Sequence, residues 1–169
     1  GKNDTFDYGD YCCLIMYKKG DWKHWKLYYP TILYYIIISI NVSIITDEKP
    51  LWLFYGSSPI DRGCNYVLEF IVFPCIIILF LSNFPEQHLK QAFYLSSYIL
   101  ILSFCEMMFC ITKEIVYYNG WNIWLSVILY IMTFPLLILH DRNPLAAWFI
   151  SFLLIYGMIT YFKIPINSI

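Results

Sequence analysis

Two carboxylates, Glu69 and Glu106, lie inside long apolar stretches of this sequence. An ionisable side chain in an apolar membrane segment is costly, and it generally faces the interior of a helix bundle. Two such groups at one depth could share a proton, bind a cation or hold a polar ligand. These carboxylates are therefore the first candidates for a functional site.

Polar residues recur beside Glu106 at helical spacing. Ser103, Cys110 and Lys113 lie three, four and seven positions away from it, so they share one face of a helix. We predict a small polar cavity near one side of the membrane, here called side B. Its candidate ligand-binding or ion-binding residues are Glu69, Glu106, Asn122, Ser103 and Asn41.

The alternative is a purely structural role for these groups. Glu69 would then pair with Arg62 or Asn65. Glu106 would pair with Lys113, which lies two turns further along the same helix. The small polar side chains would simply hold the helices together.

Two prolines, Pro74 and Pro135, lie inside apolar runs. Proline lacks a backbone N–H and its ring clashes with the preceding turn, so we expect a helix kink at each position. Because Pro74 follows Glu69 closely, that kink is a candidate point for ligand binding or gating. The alternative is that both kinks are packed by neighbouring helices.

Three histidines, His24, His88 and His140, fall towards the opposite side of the membrane, side A. Imidazole and carboxylate groups are zinc ligands, and each histidine has an acidic residue nearby in sequence. However, the spacings H-x-x-x-H and H-E-x-x-H are absent, so three separate segments would have to assemble the site. We predict no cofactor and favour interfacial histidines without zinc.

Motifs of soluble enzymes are also missing. The sequence contains no nucleophile elbow, P-loop or Rossmann glycine fingerprint, and its six cysteines form no C-x-x-C pair. We predict no catalytic residue and favour a non-enzymatic protein. The net charge of -1 gives no basic surface for a nucleic-acid partner.

The elements that must position these residues are five long apolar runs. The chain is 60% hydrophobic and 14% charged, whereas soluble domains are about 25% charged. A run of about 20 residues spans the hydrocarbon core as a helix, because lipid leaves no other partner for the backbone polar groups. The predicted spans are Tyr28–Thr46, Tyr66–Phe84, Gln91–Thr112, Trp121–His140 and Leu145–Phe162.

The spans define three regions of the chain. Residues 1–27 form a polar and interfacial N-terminal segment, residues 28–162 form the bundle, and residues 163–169 form a short tail. Asp141 to Pro144 separate the last two spans so tightly that these must form an antiparallel hairpin. Leu51 to Tyr55, in the longest connection, are expected in the membrane interface.

The distribution of Lys and Arg predicts the orientation. Side A, the side of residues 1–27, carries seven of these residues and side B carries four. Because cytoplasmic loops carry the excess of positive charge, we expect side A in the cytoplasm and the C-terminus outside.

Several segments together resemble an uncharacterised family of small multi-pass membrane proteins from spore-forming Gram-positive bacteria. The resemblance covers roughly residues 18–166 and implies location and architecture only. Relatives carry a further apolar span before Gly20, where this chain has only the short run Tyr11–Tyr17. The segments are GDWKHWKLYYPT, PLW, LEFIVFP, YYNGWNIW and LHDRNPLAAW.

The prediction is therefore an all-α, polytopic transmembrane helix bundle in the cytoplasmic (inner) membrane, with five spans, or six in an intact chain. The favoured function is an accessory subunit or small-ligand binder with a polar intramembrane cluster. The alternative is a small proton- or cation-coupled transporter that uses Glu69 and Glu106. A membrane-embedded metalloenzyme is the third interpretation. The expected partners are the lipid bilayer and either another membrane protein or a second copy of the chain.

Overall fold

The chain folds as an all-α membrane bundle, as predicted. The computed structural model describes residues 20–54 and 67–165. A short 3-10 turn, Trp22–His24, precedes the first helix, and a π-helical turn, Leu68–Val72, precedes the second. The helices are α1 (Trp25–Ile45), α2 (Phe73–Ser82), α3 (His88–Ile111), α4 (Ile123–Arg142) and α5 (Pro144–Phe162).

Four helical segments are long and apolar enough to cross a membrane. These are Trp22–Ile45, His88–Ile111, Ile123–Arg142 and Pro144–Phe162. The remaining segment, Leu68–Ser82, is shorter. At 1.5 Å per residue it rises about 22 Å, less than the hydrocarbon core of about 30 Å. The predicted start of that span at Tyr66 lies outside the described residues.

α4 is the central helix of the bundle, since it packs against α1, α3 and α5, while α2 packs against α1. The main core lies between these helices, where Phe80 and Phe134 approach to 4.7 Å between ring centroids. α3 has no buried residue, and side chains such as Phe93 and Leu100 are about 70% exposed. In a bilayer these exposed apolar surfaces contact lipid. The buried core residues are Ile32, Tyr34, Ile77, Ile78, Phe80, Phe134, Leu137 and Ala147.

The last two helices form a tight hairpin. Asn143 alone separates α4 from α5, and its side-chain oxygen accepts a hydrogen bond from the Ala146 amide at 3.3 Å. Proline at the first position of α5 suits this start, because an amide there has no helical partner.

The two prolines behave differently. Pro135 lies within α4, which continues unbroken to Arg142. Pro74 is in the first turn of α2, directly after the π-helical turn, in which the Phe73 amide bonds to the Leu68 carbonyl. A π-turn widens the helix locally and is frequent at functional sites. Here it carries Glu69.

Side B is covered by a small folded cap. It consists of residues 46–54 and 115–121, and it contains strands β1 (Trp52–Phe54) and β2 (Ile115–Tyr117), which pair antiparallel with Trp52 opposite Tyr117. Leu51 is 1% exposed within it. Lys49 fastens the cap to the bundle, since its ammonium group donates to the Phe162 carbonyl at 2.7 Å.

Candidate functional site

A cavity of about 440 Å³ lies between the side-B cap and the helices. α1, the π-helical turn, α2, α3 and α4 all contribute to its wall. This volume is typical of sites for small molecules. The lining residues that carry side-chain oxygens are Tyr35, Ser39, Ser43, Thr46, Asp47, Glu69, Glu106, Ser126 and Tyr130.

The structure places both intramembrane carboxylates in this wall. Glu69 comes from the π-helical turn, and Glu106 comes from the last third of α3. These helices run in opposite directions, so both residues lie towards side B. Asp47, in the cap, adds a third carboxylate.

Glu106 is held by three hydroxyl groups. Tyr117 and Ser126 donate to its Oε1 at 2.7 and 2.6 Å. Tyr130 donates to Oε2 at 2.6 Å. Ser126 in turn accepts a hydrogen bond from the Trp121 indole at 2.9 Å. An ionised carboxylate only accepts hydrogen bonds, and short charge-assisted bonds of this kind are among the strong ones.

Helical spacing explains this arrangement. Ser126 and Tyr130 are four residues apart, so both face α3 from the same side of α4. Tyr117 arrives from β2, which follows α3 after a reversal at Lys113, where φ is 64°. Burial, followed by hydrogen bonding with Cys110 and Glu106, raises the pKa of Tyr117 above its usual range. Its hydroxyl therefore remains a proton donor.

Glu69 differs from Glu106 in its hydrogen bonding. Its Oε1 atom is buried and has no hydrogen-bond partner among the described residues. A buried polar atom without a partner costs about 1–3 kcal/mol. Since Glu69 also lines the cavity, its carboxyl group is the candidate contact for a bound group.

The predicted structural pairing of Glu106 with Lys113 is not formed. No ion pair joins Glu106 to Lys113, because the single ion pair in the described part of the chain is His24–Asp21. The hydroxyls of α4 and β2 occupy Glu106 instead. Arg62 and Asn65, the predicted partners of Glu69, lie outside the described residues.

Three of the predicted site residues are not part of the cavity wall. Asn41 is exposed and donates to the Ile37 carbonyl of its own helix at 2.7 Å. Asn122 caps α4 by accepting from the amides of Trp124 and Leu125 at 3.0 and 3.3 Å. The Ser103 hydroxyl is buried without a partner in the described region, away from the cavity. The structure therefore does not bring these three residues together with Glu69 and Glu106 in the described cavity wall.

The residues that the prediction missed are mainly aromatic. Tyr35, Tyr130 and Trp121 line the cavity, and Tyr117 bonds to Glu106. One signal was present in the sequence: Tyr35, Ser39 and Ser43 repeat at intervals of four, which places three hydroxyls on one face of α1.

Comparisons with protein-family models, with curated proteins and with solved structures gave no match. The family resemblance stays a prediction.

The three histidines are dispersed. His24 bonds to Asp21 at 2.9 Å, and His88 is exposed at the start of α3. His140 is buried, bonds to Thr31 at 3.0 Å and stacks on the Tyr34 ring at 4.2 Å. Within residues 20–54 and 67–165, no group of three or more His, Cys, Asp or Glu residues is placed to hold a metal ion.

Proposed function

We propose that this membrane protein is a non-enzymatic binder of a small organic cation, with the side-B cavity as its binding site. One observation carries the proposal. The described cavity wall contains three carboxylates, from Asp47, Glu69 and Glu106, and no Lys, Arg or His. A low-dielectric site with this charge balance favours a positively charged ligand.

The two intramembrane carboxylates have different roles in this proposal. Glu106 already accepts three hydrogen bonds, so its carboxyl group is held in a fixed position in the site. Glu69 has an unpartnered oxygen and is the group that a ligand N–H or an ammonium methyl contacts.

An organic cation fits better than a bare metal ion. Among the described residues no set of three ligating side chains exists, and a volume of about 440 Å³ far exceeds that of an ion. Six aromatic rings also line the cavity beside the carboxylates, from Tyr35, Trp52, Phe54, Phe73, Trp121 and Tyr130. Aromatic faces attract ammonium groups by cation–π interactions of about 0.5–2 kcal/mol each.

Isothermal titration of the purified protein in detergent tests this proposal. The probe is choline, and its neutral carbon analogue 3,3-dimethyl-1-butanol is the matched ligand control. We expect saturable choline binding and much weaker binding of the alcohol. Binding of both compounds with equal affinity would show that charge is not recognised.

Glu69→Gln keeps the shape of the side chain and removes its charge. Because a charge-assisted contact is worth about 1.5–3 kcal/mol, we expect choline affinity to fall about 10- to 100-fold. Glu86→Gln, on the exposed turn at side A, is the control and should bind choline like the parent protein. Equal affinities for Glu69→Gln and Glu86→Gln would remove Glu69 from the site.

We also propose that side A faces the cytoplasm, which the excess of Lys and Arg on that side supports. A green fluorescent protein fused after Ile169 would then lie outside, where it does not mature after export in an unfolded state. Dark cells, with bright cells for an N-terminal fusion to Gly1, are the expected result. Bright cells for the C-terminal fusion and dark cells for the N-terminal fusion would show that side A faces outwards.

A further inference from the structure

A second, smaller cavity continues the first one towards side A. It lies between α1, α4 and α5 and has a volume of about 110 Å³. Tyr35 and Ser39 line both cavities, so these two side chains form the partition between them. The smaller cavity also receives the hydroxyls of Tyr34, Thr133 and Ser151.

His140 lies next to this cavity, behind the ring of its lining residue Tyr34. The hydroxyls of Tyr34 and Ser151 are 2.5 Å apart, and the Tyr34 ring stacks on the His140 imidazole. His140 Nδ1 and the Thr31 hydroxyl are 3.0 Å apart. His140 is two residues from the end of α4 at side A. Polar groups therefore extend from the side-B carboxylates almost to the opposite face of the bundle.

These polar groups are buried where lipid offers no hydrogen bonds. Thr31, Tyr34, His140 and Ser151 are each no more than 5% exposed. If these groups only held the helices together, isolated hydrogen-bonded pairs would be enough. Here the pairs lie beside a cavity of 110 Å³, which holds about three water molecules at roughly 30 Å³ each. Five surrounding hydroxyls supply the partners that such waters require.

We propose that this series of groups conducts protons across the bundle, between the side-B cavity and side A. Each hydroxyl or water accepts a proton from one neighbour and releases its own to the next. The Tyr34 ring only stacks on His140, so the proton reaches the imidazole by another route: a water passes it between the Ser151 hydroxyl and Nε2, and the Thr31 hydroxyl exchanges it at Nδ1. One proton enters as another leaves, so no residue of the path keeps a net charge. The path begins at the cation cavity but does not need a bound cation.

The groups around His140 are compatible with this role. α1 presents Tyr34 and Thr31 to the imidazole, and α5 presents Trp148 at 6.5 Å between ring centroids. Asp141 is adjacent on α4 itself and supplies a negative charge. A proton that leaves the imidazole therefore has an acceptor at the side-A surface.

Proton flux into liposomes tests the proposal. The purified full chain is reconstituted in vesicles that contain the pH dye pyranine and potassium chloride, and valinomycin sets an inward driving potential for protons. Without choline, we expect acidification clearly above that of protein-free vesicles. Flux equal to that of protein-free vesicles would overturn the path.

Two conservative variants locate the path. Tyr34→Phe keeps the ring on His140 and removes only the hydroxyl, and Ser151→Ala removes its partner. Loss of one hydrogen bond of about 1.4 kcal/mol on the path predicts about tenfold slower flux for each. Ser97→Ala, whose hydroxyl bonds to its own helix on exposed α3, is the control and should keep the parent flux. Flux unchanged in both path variants would assign these hydroxyls to helix packing alone.

Choline binding by the same samples separates this inference from the proposed function. Tyr34→Phe and Ser151→Ala should bind choline normally, which also shows that they are folded. If the parent protein binds choline but conducts no protons, only the proton path is refuted. If it conducts protons but does not bind choline, only the cation site is refuted.

Discussion

Tyr130→Phe is the most informative test of the carboxylate network. The change removes a single hydroxyl and leaves the ring volume intact, so it creates no cavity. Tyr130 is the sole described donor to Oε2 of Glu106, whereas Oε1 accepts from both Tyr117 and Ser126. Loss of the Tyr130 hydroxyl therefore leaves one carboxylate oxygen without a protein partner.

The expected magnitude follows from this difference. A hydrogen bond to a charged group is worth about 1.5–3 kcal/mol, while side-chain hydrogen bonds in membrane proteins average about 0.6 kcal/mol. At 2.6 Å and half-buried, the Tyr130 bond belongs between these values, so we expect about 1.5 kcal/mol of lost stability. Tyr117→Phe should cost only about 0.5–1 kcal/mol, because Ser126 still donates to Oε1.

The measurement is the free energy of unfolding from titration with sodium dodecyl sulfate in bicelles, followed by circular dichroism. A double-mutant cycle with Glu106→Gln isolates the pair, and we expect a coupling energy of about 1 kcal/mol. Tyr156→Phe, on the exposed face of α5, is the control and should change stability by less than about 0.5 kcal/mol. A coupling energy near zero, or a Tyr130→Phe cost equal to the control, would refute the assigned network.

Three further predictions concern the cap and side A, and the same unfolding titration checks each of them. Lys49→Met should cost about 1 kcal/mol, since it frees the Phe162 carbonyl at the end of α5, and an unchanged stability would mean that the cap is not fastened there. Gly120→Ala should also cost about 1 kcal/mol, because its φ of 87° strains any L-residue while its new methyl group meets no atom within 4 Å. Thr31→Val should cost about 1–2 kcal/mol by leaving His140 Nδ1 without its partner, and a neutral result would contradict that bond.

The sequence predicts the positions of Glu69 and Glu106 well, because a charged residue in an apolar run has few alternatives to the bundle interior. The other candidate residues lie outside the described cavity wall. Asn41 and Asn122 have the right polarity and the right end of the helix, yet local hydrogen bonds to the backbone satisfy both. Asparagine side chains often form such hydrogen bonds with nearby backbone groups, especially at helix ends.

Tyrosine was underestimated for a related reason. Tyr117 and Tyr130 counted as apolar or interfacial residues in the sequence, where ring and hydroxyl cannot be separated. Only the structure shows that the rings pack in the bundle while the hydroxyls reach Glu106.

Two backbone features also could not be read from the sequence. The π-helical turn at Leu68–Val72 directly precedes Pro74, and hydrophobic spacing does not report it. The pairing of Trp52–Phe54 with Ile115–Tyr117 joins distant parts of the chain, and three-residue strands carry too little pattern to predict. The helices themselves were predictable, because in lipid the backbone N–H and C=O groups of an apolar run must bond within the segment.

The strand pairing in the cap has a consequence for how the protein is made. β1 leaves the ribosome before α2 and α3, whereas β2 follows them. The two strands therefore cannot meet until that intervening pair of helices has been inserted into the bilayer. Closure over the acidic cavity thus comes after insertion of α2 and α3, and a chain arrested before Ile115 exposes Glu69 without its cover.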